Sequence, residues 1–234
     1  MRRPLTRGAG RALAAVALVL LAACGGNGDE VDITGVDAAS LLVEAADRLE
    51  QVQSFHFVLE HEGGATEIVR GVLMERAEGD VAGSDRIRVE IEGSLININI
   101  KTGIVVIGEQ SWFRNPLTAR WERQEISLAD VFDPATGVTG LMRSARDPLI
   151  TGTKKIDGVQ TYVVETIVDS DDITLFGEPT PGRELVATAW IGVDEPLVYR
   201  IELVGAITAA EEEGLVRRLT LSRFDEDIDI TPPR

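Results

Sequence analysis

Residues 86–107 read RIRVEIEGSLININIKTGIVVI, and this stretch decides the fold. Ile87, Val89 and Ile91 alternate with Arg88, Glu90 and Glu92; Ile96, Ile98 and Ile100 alternate with Asn97, Asn99 and Lys101. Successive side chains on an extended chain point to opposite sides, so a period of two builds strands with one apolar and one polar face. Thr102-Gly103 reads as a turn into a further apolar run, Ile104 to Ile107. The row predicts antiparallel strands on short turns, not parallel strands with helical crossovers.

The same signals continue on both sides. Upstream, Phe55 to Glu60 alternates, Glu62-Gly63-Gly64 is a turn, and Thr66 to Glu75 reads as the partner strand. Downstream, Glu109-Gln110 leads to Trp112-Phe113, and Lys155 to Gly158 is a turn before Thr161 to Val168. Glu184 to Val193, Leu197 to Gly205 and Leu215 to Phe224 follow as strands, and Asp225 to Arg234 as a loose end. One amphipathic helix precedes them all. Asp37 is its N-cap, and Leu41, Leu42, Ala45, Ala46, Leu49 and Val52 recur at helical spacing opposite Glu44, Asp47, Arg48, Glu50 and Gln51. Between the two runs of strands, Leu128 to Ala145 reads as two short helices broken at Asp133-Pro134. The fold class is therefore α+β: one antiparallel sheet of eight to ten strands, one long helix and two short ones. A sheet that wide curls or closes, and one curled around its helices encloses apolar volume.

The first residues carry an export signal. Arg2, Arg3, Arg7 and Arg11 form a basic leader, Ala12 to Leu21 is an unbroken apolar run, and small residues follow. A run of about ten residues is half of what a spanning helix needs. Leu21-Ala22-Ala23-Cys24 matches the bacterial lipobox, in which the thiol of the new N-terminus is acylated before cleavage. Cys24 is the only cysteine, so its acylation leaves no thiol for a disulfide. The expected organisation is a signal peptide over 1–23, a lipidated flexible tether over 24–36 and one domain over 37–234. That places the protein on the outer face of the bacterial cytoplasmic membrane, anchored through Cys24 with palmitate-type acyl chains.

Charge narrows the partners. The chain carries 23 basic and 39 acidic residues, net −16, and loss of the leader arginines makes it more negative. Such a surface repels phosphate backbones, which argues against nucleic acid as a partner. The core is aliphatic, with aromatics at 5%.

The chemistry-bearing motifs are few. His56 and His61 are the only histidines, and five residues apart on one strand they face opposite ways, which does not make a metal site. Asp169 to Asp172 lacks the glycine and distal glutamate of a calcium loop. No Gly-x-Ser-x-Gly elbow, GxGxxG or Walker loop occurs, so neither a catalytic nucleophile nor a nucleotide or other cofactor is expected. Glu90 and Glu92 share a strand face with Arg86 and Arg88 and read as a charged stripe, not as a catalytic carboxylate pair. What remains is apolar. Phe55, Phe57, Leu59, Ile96, Ile98, Ile100, Trp112, Phe113, Val131, Phe132, Leu141 and Met142 are the candidates for lining a lipid cavity. A core filled by the protein's own side chains is the competing account, and composition does not separate the two.

A resemblance shifts that balance. The lipobox, the helix running into Ser54-Phe55-His56-Phe57, the stretch Trp112-Phe113-Arg114-Asn115-Pro116-Leu117 before Trp121, and Lys155-Ile156-Asp157-Gly158-Val159-Gln160-Thr161-Tyr162 occur in order. Ala189-Trp190-Ile191, Leu197-Val198-Tyr199-Arg200-Ile201 and the ending Leu221-Ser222-Arg223-Phe224 through Ile230-Thr231-Pro232-Pro233 complete the set. Together they resemble the LppX/LprA/LprF/LprG family of bacterial lipoproteins. The resemblance implies a strongly bent antiparallel half-barrel, LolA/LolB-like, with helices across its concave side. It also implies a non-enzymatic role: binding acylated lipid or glycolipid and moving it across the envelope, with an envelope lipid exporter as a further partner. A ligand-free docking module for a transporter or cell-wall enzyme is the alternative, and a hydrolase using His56 or His61 the remoter one.

Overall fold

The alternation resolves into twelve strands in a computed structural model that describes residues 31–69, 71–96, 98–126, 137–173 and 179–234. In chain order these are β1 (Ser54–Glu62), β2 (Thr66–Val69), β3 (Val72–Ala82), β4 (Arg86–Leu95), β5 (Ile98–Ile107), β6 (Gln110–Arg114), β7 (Trp121–Arg123), β8 (Arg146–Ile156), β9 (Val159–Asp169), β10 (Glu184–Gly192), β11 (Val198–Val204) and β12 (Val216–Ser222). They form one open sheet ordered β7-β6-β5-β4-β3-β1-β12-β11-β10-β9-β8, with β2 on β3 and every pairing antiparallel. Two meanders thus meet at β1, where Phe57 lies opposite Gly79 on one side and Leu221 on the other.

Helix α1 (Ala38–Gln51) starts where the Asp37 carboxylate accepts from the Ser40 amide at 2.7 Å. That bond holds the carboxyl below its ordinary range. Its buried stripe, Leu41, Leu42, Ala45, Ala46 and Leu49, joins a core cluster with Phe55, Val89, Val164 and Ile201 from the sheet. Helix α2 (Val138–Ser144) buries Val138, Leu141 and Met142 in the same cluster. Arg143 ties it to α1 through Asp47 at 2.6 Å and Glu50 at 2.7 Å.

Several sequence expectations need correction. The sheet has twelve strands, not eight to ten. Among the described residues the helices are one long, one short and a three-residue 3-10 turn at Ser170–Asp172; the first of the two expected short helices falls within 127–136, outside the described residues. The expected turn at Thr102-Gly103 lies inside β5. The chain instead reverses between Leu95 and Ile98, which pair with each other. Glycine at 103 marks a close approach and not a turn, since a Cβ there would stand 3.0 Å from the Trp121 ring. The single strand expected over Thr66 to Glu75 is split at Gly71, whose φ is +81°, and the strand facing β1 is β3. Strand β8 has no clean alternation and contains Pro148, as suits an edge strand.

The C-terminal segment is no loose end. Ile230, 3% exposed, packs on Val105 and Trp112 on the sheet face opposite the helices. The Gln53 amide donates to Asp225 at 2.7 Å, and Arg88 donates to the Thr231 carbonyl at 3.0 Å. Ile230→Ala is expected to cost about 2–5 kcal/mol, read as a lower urea midpoint. An unchanged midpoint would show that the segment contributes nothing to stability.

Candidate functional site

The helix-covered face of the sheet has one row of inward side chains per strand. Odd positions of β1 (Phe55, Phe57, Leu59) and β4 (Ile87, Val89, Ile91) face inward, as do even positions of β5 (Ile100, Thr102, Ile104). With Ile201 and Leu203 of β11, Leu219 and Leu221 of β12 and Val138 and Leu141 of α2, they border a cavity of about 410 Å³. Small-molecule sites fall in the range of about 300–1,000 Å³. Gly79 matters to the wall: a Cβ there would meet the Phe57 ring at 2.9 Å and the Arg88 carbonyl at 2.2 Å.

Of the residues expected from sequence to line a cavity, Phe55, Phe57, Leu59, Ile100, Phe113 and Leu141 border this one. Met142 is buried beside them in the core. Trp112 points to the opposite face, against Val105 and Ile230. Ile96 and Ile98, 81% and 64% exposed, stand at the β4–β5 turn. Val131, Phe132 and Cys24 lie outside the described residues. Met74, Ala77, Val89, Ile201, Leu203 and Leu219 complete the wall. Their alternation was visible in sequence, but which face would be covered was not.

Glu67, Thr102 and Arg217 are the polar residues on the cavity's border, and Arg217 is the buried charge among them. Its side chain is 1% exposed, borders the cavity and pairs with Glu211, 3% exposed. Arg217 also donates through Nε to Thr66 Oγ1 at 3.2 Å and through Nη1 to the Gly205 carbonyl at 3.1 Å. Glu211 Oε2 accepts from the Ile207 and Thr208 amides at 2.7 and 3.1 Å. Burial pushes the Glu211 carboxyl up, but the bonds from Arg217 and the two amides outweigh it and hold it low. His61 Nε2 lies 2.9 Å from the same Thr66 hydroxyl, and burial, aided by Arg217, depresses its pKa. These groups satisfy one another; none presents an activated nucleophile.

His56, Glu90 and Glu92 are paired as well. His56 lies 2.9 Å from Asp80 and 3.4 Å from Glu78. Glu90 pairs with Arg114, and Glu92 with Lys101, whose hydrogen bond holds the Glu92 carboxyl low. Among the described residues no cluster of three His, Cys, Asp or Glu is set to hold a metal, and no helix is long and apolar enough to cross a membrane.

An open antiparallel sheet with helices packed on one face and a largely apolar cavity between them is the architecture of this chain. The sequence model of the LppX_LprAFG lipoproteins matches residues 37–230, and the chain belongs to that family. It is 24% identical to the lipoarabinomannan carrier protein LprG of Mycolicibacterium smegmatis, over 95% of this chain and 94% of that one. Among solved structures, LprF from Mycobacterium bovis superposes with a TM-score of 0.66 at 15% identity, covering 84% of this chain and 96% of that one. LppX from Mycobacterium tuberculosis does so with a TM-score of 0.60 at 18% identity, covering 83% and 100%.

Proposed function

We propose that this protein is a lipid-anchored, non-catalytic carrier that takes the acyl chains of a lipid or glycolipid into its cavity and moves it across the cell envelope. The observation that carries the reading is the apolar cavity of about 410 Å³, walled by aliphatic and aromatic side chains from both meanders and α2. Buried apolar side chains do not ordinarily leave such a volume unfilled. Hydrocarbon from another molecule would complete the packing, at about 0.8 kcal/mol for each methylene removed from water. A sheet bent into a half-barrel accounts for the wall: flat, Phe113 on β6 and Ile201 on β11 would stand about 29 Å apart at the usual strand spacing, yet both border this cavity.

In this reading residues 1–23 are removed, Cys24 carries the lipid anchor, 24–36 tether the domain 37–234 to the outer face of the cytoplasmic membrane, and an envelope exporter receives or continues the cargo. The relatives named as lipoarabinomannan carriers favour a glycolipid cargo. Transfer needs a bound state close in free energy to the bilayer state, so that cargo both enters and leaves.

Native mass spectrometry of the protein purified without detergent, before and after incubation with envelope lipid extract, tests this. Discrete added masses that fragment to acyl chains are expected. An unmodified mass under both conditions, with a filled cavity in an experimental structure, would favour the docking-module reading.

A further inference from the structure

The strand ends that border one end of the cavity break the rules for exposed turns. The chain reverses between β4 and β5 through Ile96, whose φ is +50°. Left-handed backbone is strained for a β-branched residue, and two-residue hairpin turns favour asparagine or glycine there. Yet Ile96 is 81% exposed, so burial gives no compensation for the strain. At the same end of the sheet the β6–β7 turn puts Leu117 at 77% exposure, and Ile98 is 64% exposed. Ile68 on β2 and Leu73 at the start of β3 add partly exposed apolar surface, 36% and 41%. Isolated apolar side chains on a surface need no explanation; several gathered on neighbouring turns do.

This rim is continuous with the cavity. Ile98 lies on the same side of β5 as Ile100, two residues further on, which borders the cavity, as do Ile68 and Pro116, the neighbour of Leu117. The rim's charge also sets it apart. The segments 67–73, 94–99 and 115–120 contain Glu67, Arg70 and Arg120 as their only charged residues, in a chain of net charge −16. An acidic protein is repelled from anionic headgroups, and these turns, with one acid against two arginines, add little to that repulsion. On the opposite wall, the β11–β12 connection carries exposed Glu212 and Glu213, so contact falls on the β2–β7 half.

We propose that these three turns are a membrane-docking rim: Ile96, Ile98 and Leu117 enter the headgroup and upper acyl region of a lipid bilayer, so that the cavity mouth opens onto hydrocarbon. Cargo then slides between bilayer and cavity without its chains crossing water. The inference adds an entry route to the carrier reading and rests on it for its purpose, but docking itself needs no cargo.

The test uses the full lipid-anchored protein reconstituted into vesicles of phosphatidylcholine with anionic phosphatidylglycerol, carrying bromines near the headgroup end of the acyl chains. Ile96→Trp and Leu117→Trp are compared with Glu109→Trp, in the β5–β6 turn at the other end of the same strand, over the background of the native tryptophans. The added emission of Ile96→Trp and Leu117→Trp is expected to be blue-shifted and quenched at least twofold more than that of Glu109→Trp. Equal quenching at all three positions would overturn the proposal, whether or not lipid is found in the cavity. So would a shift that requires an added protein and not the bilayer, which would make the rim a protein-docking surface. Ile96→Asp with Leu117→Asp should lower the vesicle-to-vesicle lipid transfer rate about tenfold while cargo found in the purified protein is retained. Transfer at the wild-type rate would remove the rim from the route. Absence of cargo from the wild type would sink the carrier reading alone.

Discussion

Ala77→Trp is expected to reduce the lipid retained by the purified protein at least tenfold while leaving the fold intact. Ala77 lies on β3 opposite Leu59 and Ile91, 5% exposed, with its methyl on the cavity wall. An indole placed there projects into volume that acyl chains are proposed to occupy. In a filled core the same change would force its neighbours off their rotamers and cost about 1–3 kcal/mol or more. Against an unfilled cavity it buries aromatic surface without displacing protein, so thermal stability in the absence of cargo should hold or rise. The two accounts therefore differ in sign: carrier, lost cargo with preserved stability; filled core, lost stability with no cargo to lose. Val186→Trp, on a 48% exposed position of β10, is the control for bulk alone and should change neither measurement. Full cargo retention by Ala77→Trp would mean the lipid sits elsewhere.

Most of the architecture was legible because period two is a local signal. Ile87, Val89 and Ile91 announced β4, and the apolar stripe from Leu41 to Leu49 announced α1 without any tertiary information. What could not be read were features set by distant residues. Nothing near Gly103 says that Trp121 will lie over it, so a mid-strand glycine looked like a turn and the true reversal at Ile96 looked like strand. Trp112 and Phe113 are adjacent and similarly apolar; only the C-terminal Ile230, packed on the outer face, decides that Trp112 points away from the cavity. That segment reads as loose because its anchors, Arg48, Gln53, Ser54 and Arg88 by hydrogen bonds and Val105 and Trp112 by packing, all lie far away in sequence. The buried pair Arg217 and Glu211 was illegible for the same reason: in sequence, both belong to a charged run from Glu211 to Arg218.

That pair carries the largest expected effect on stability. Arg217→Met takes from Glu211, 3% exposed, the cation it pairs with, and Glu211→Gln takes the Glu211 charge from Arg217, 1% exposed. Removing one partner of a buried pair costs about 3–5 kcal/mol, because the survivor keeps its desolvation penalty and loses its attraction. Replacing both with apolar residues of similar size, Arg217→Met with Glu211→Leu, should recover most of the loss, since well-packed hydrophobic residues often equal or exceed a buried ion pair. Urea midpoints of the wild type, Arg217→Met, Glu211→Leu and the double variant form the cycle, and a single-variant loss below about 1 kcal/mol would mean water reaches the site. The pH dependence has a defined sign. Both the Glu211 carboxyl and His61 have pKa values depressed by folding, so the unfolded chain binds more protons as pH falls and stability drops on acidification. The His61 contribution begins to be lost below its ordinary value of about 6.5, and that of Glu211 below about 4.3. Glu211→Gln should abolish the lower step and His61→Gln the upper. The pair borders the cavity through Arg217, so the double apolar variant also asks whether a carrier needs this buried cation. If cargo composition changes while stability recovers, Arg217 selects the cargo as well as stabilising the wall.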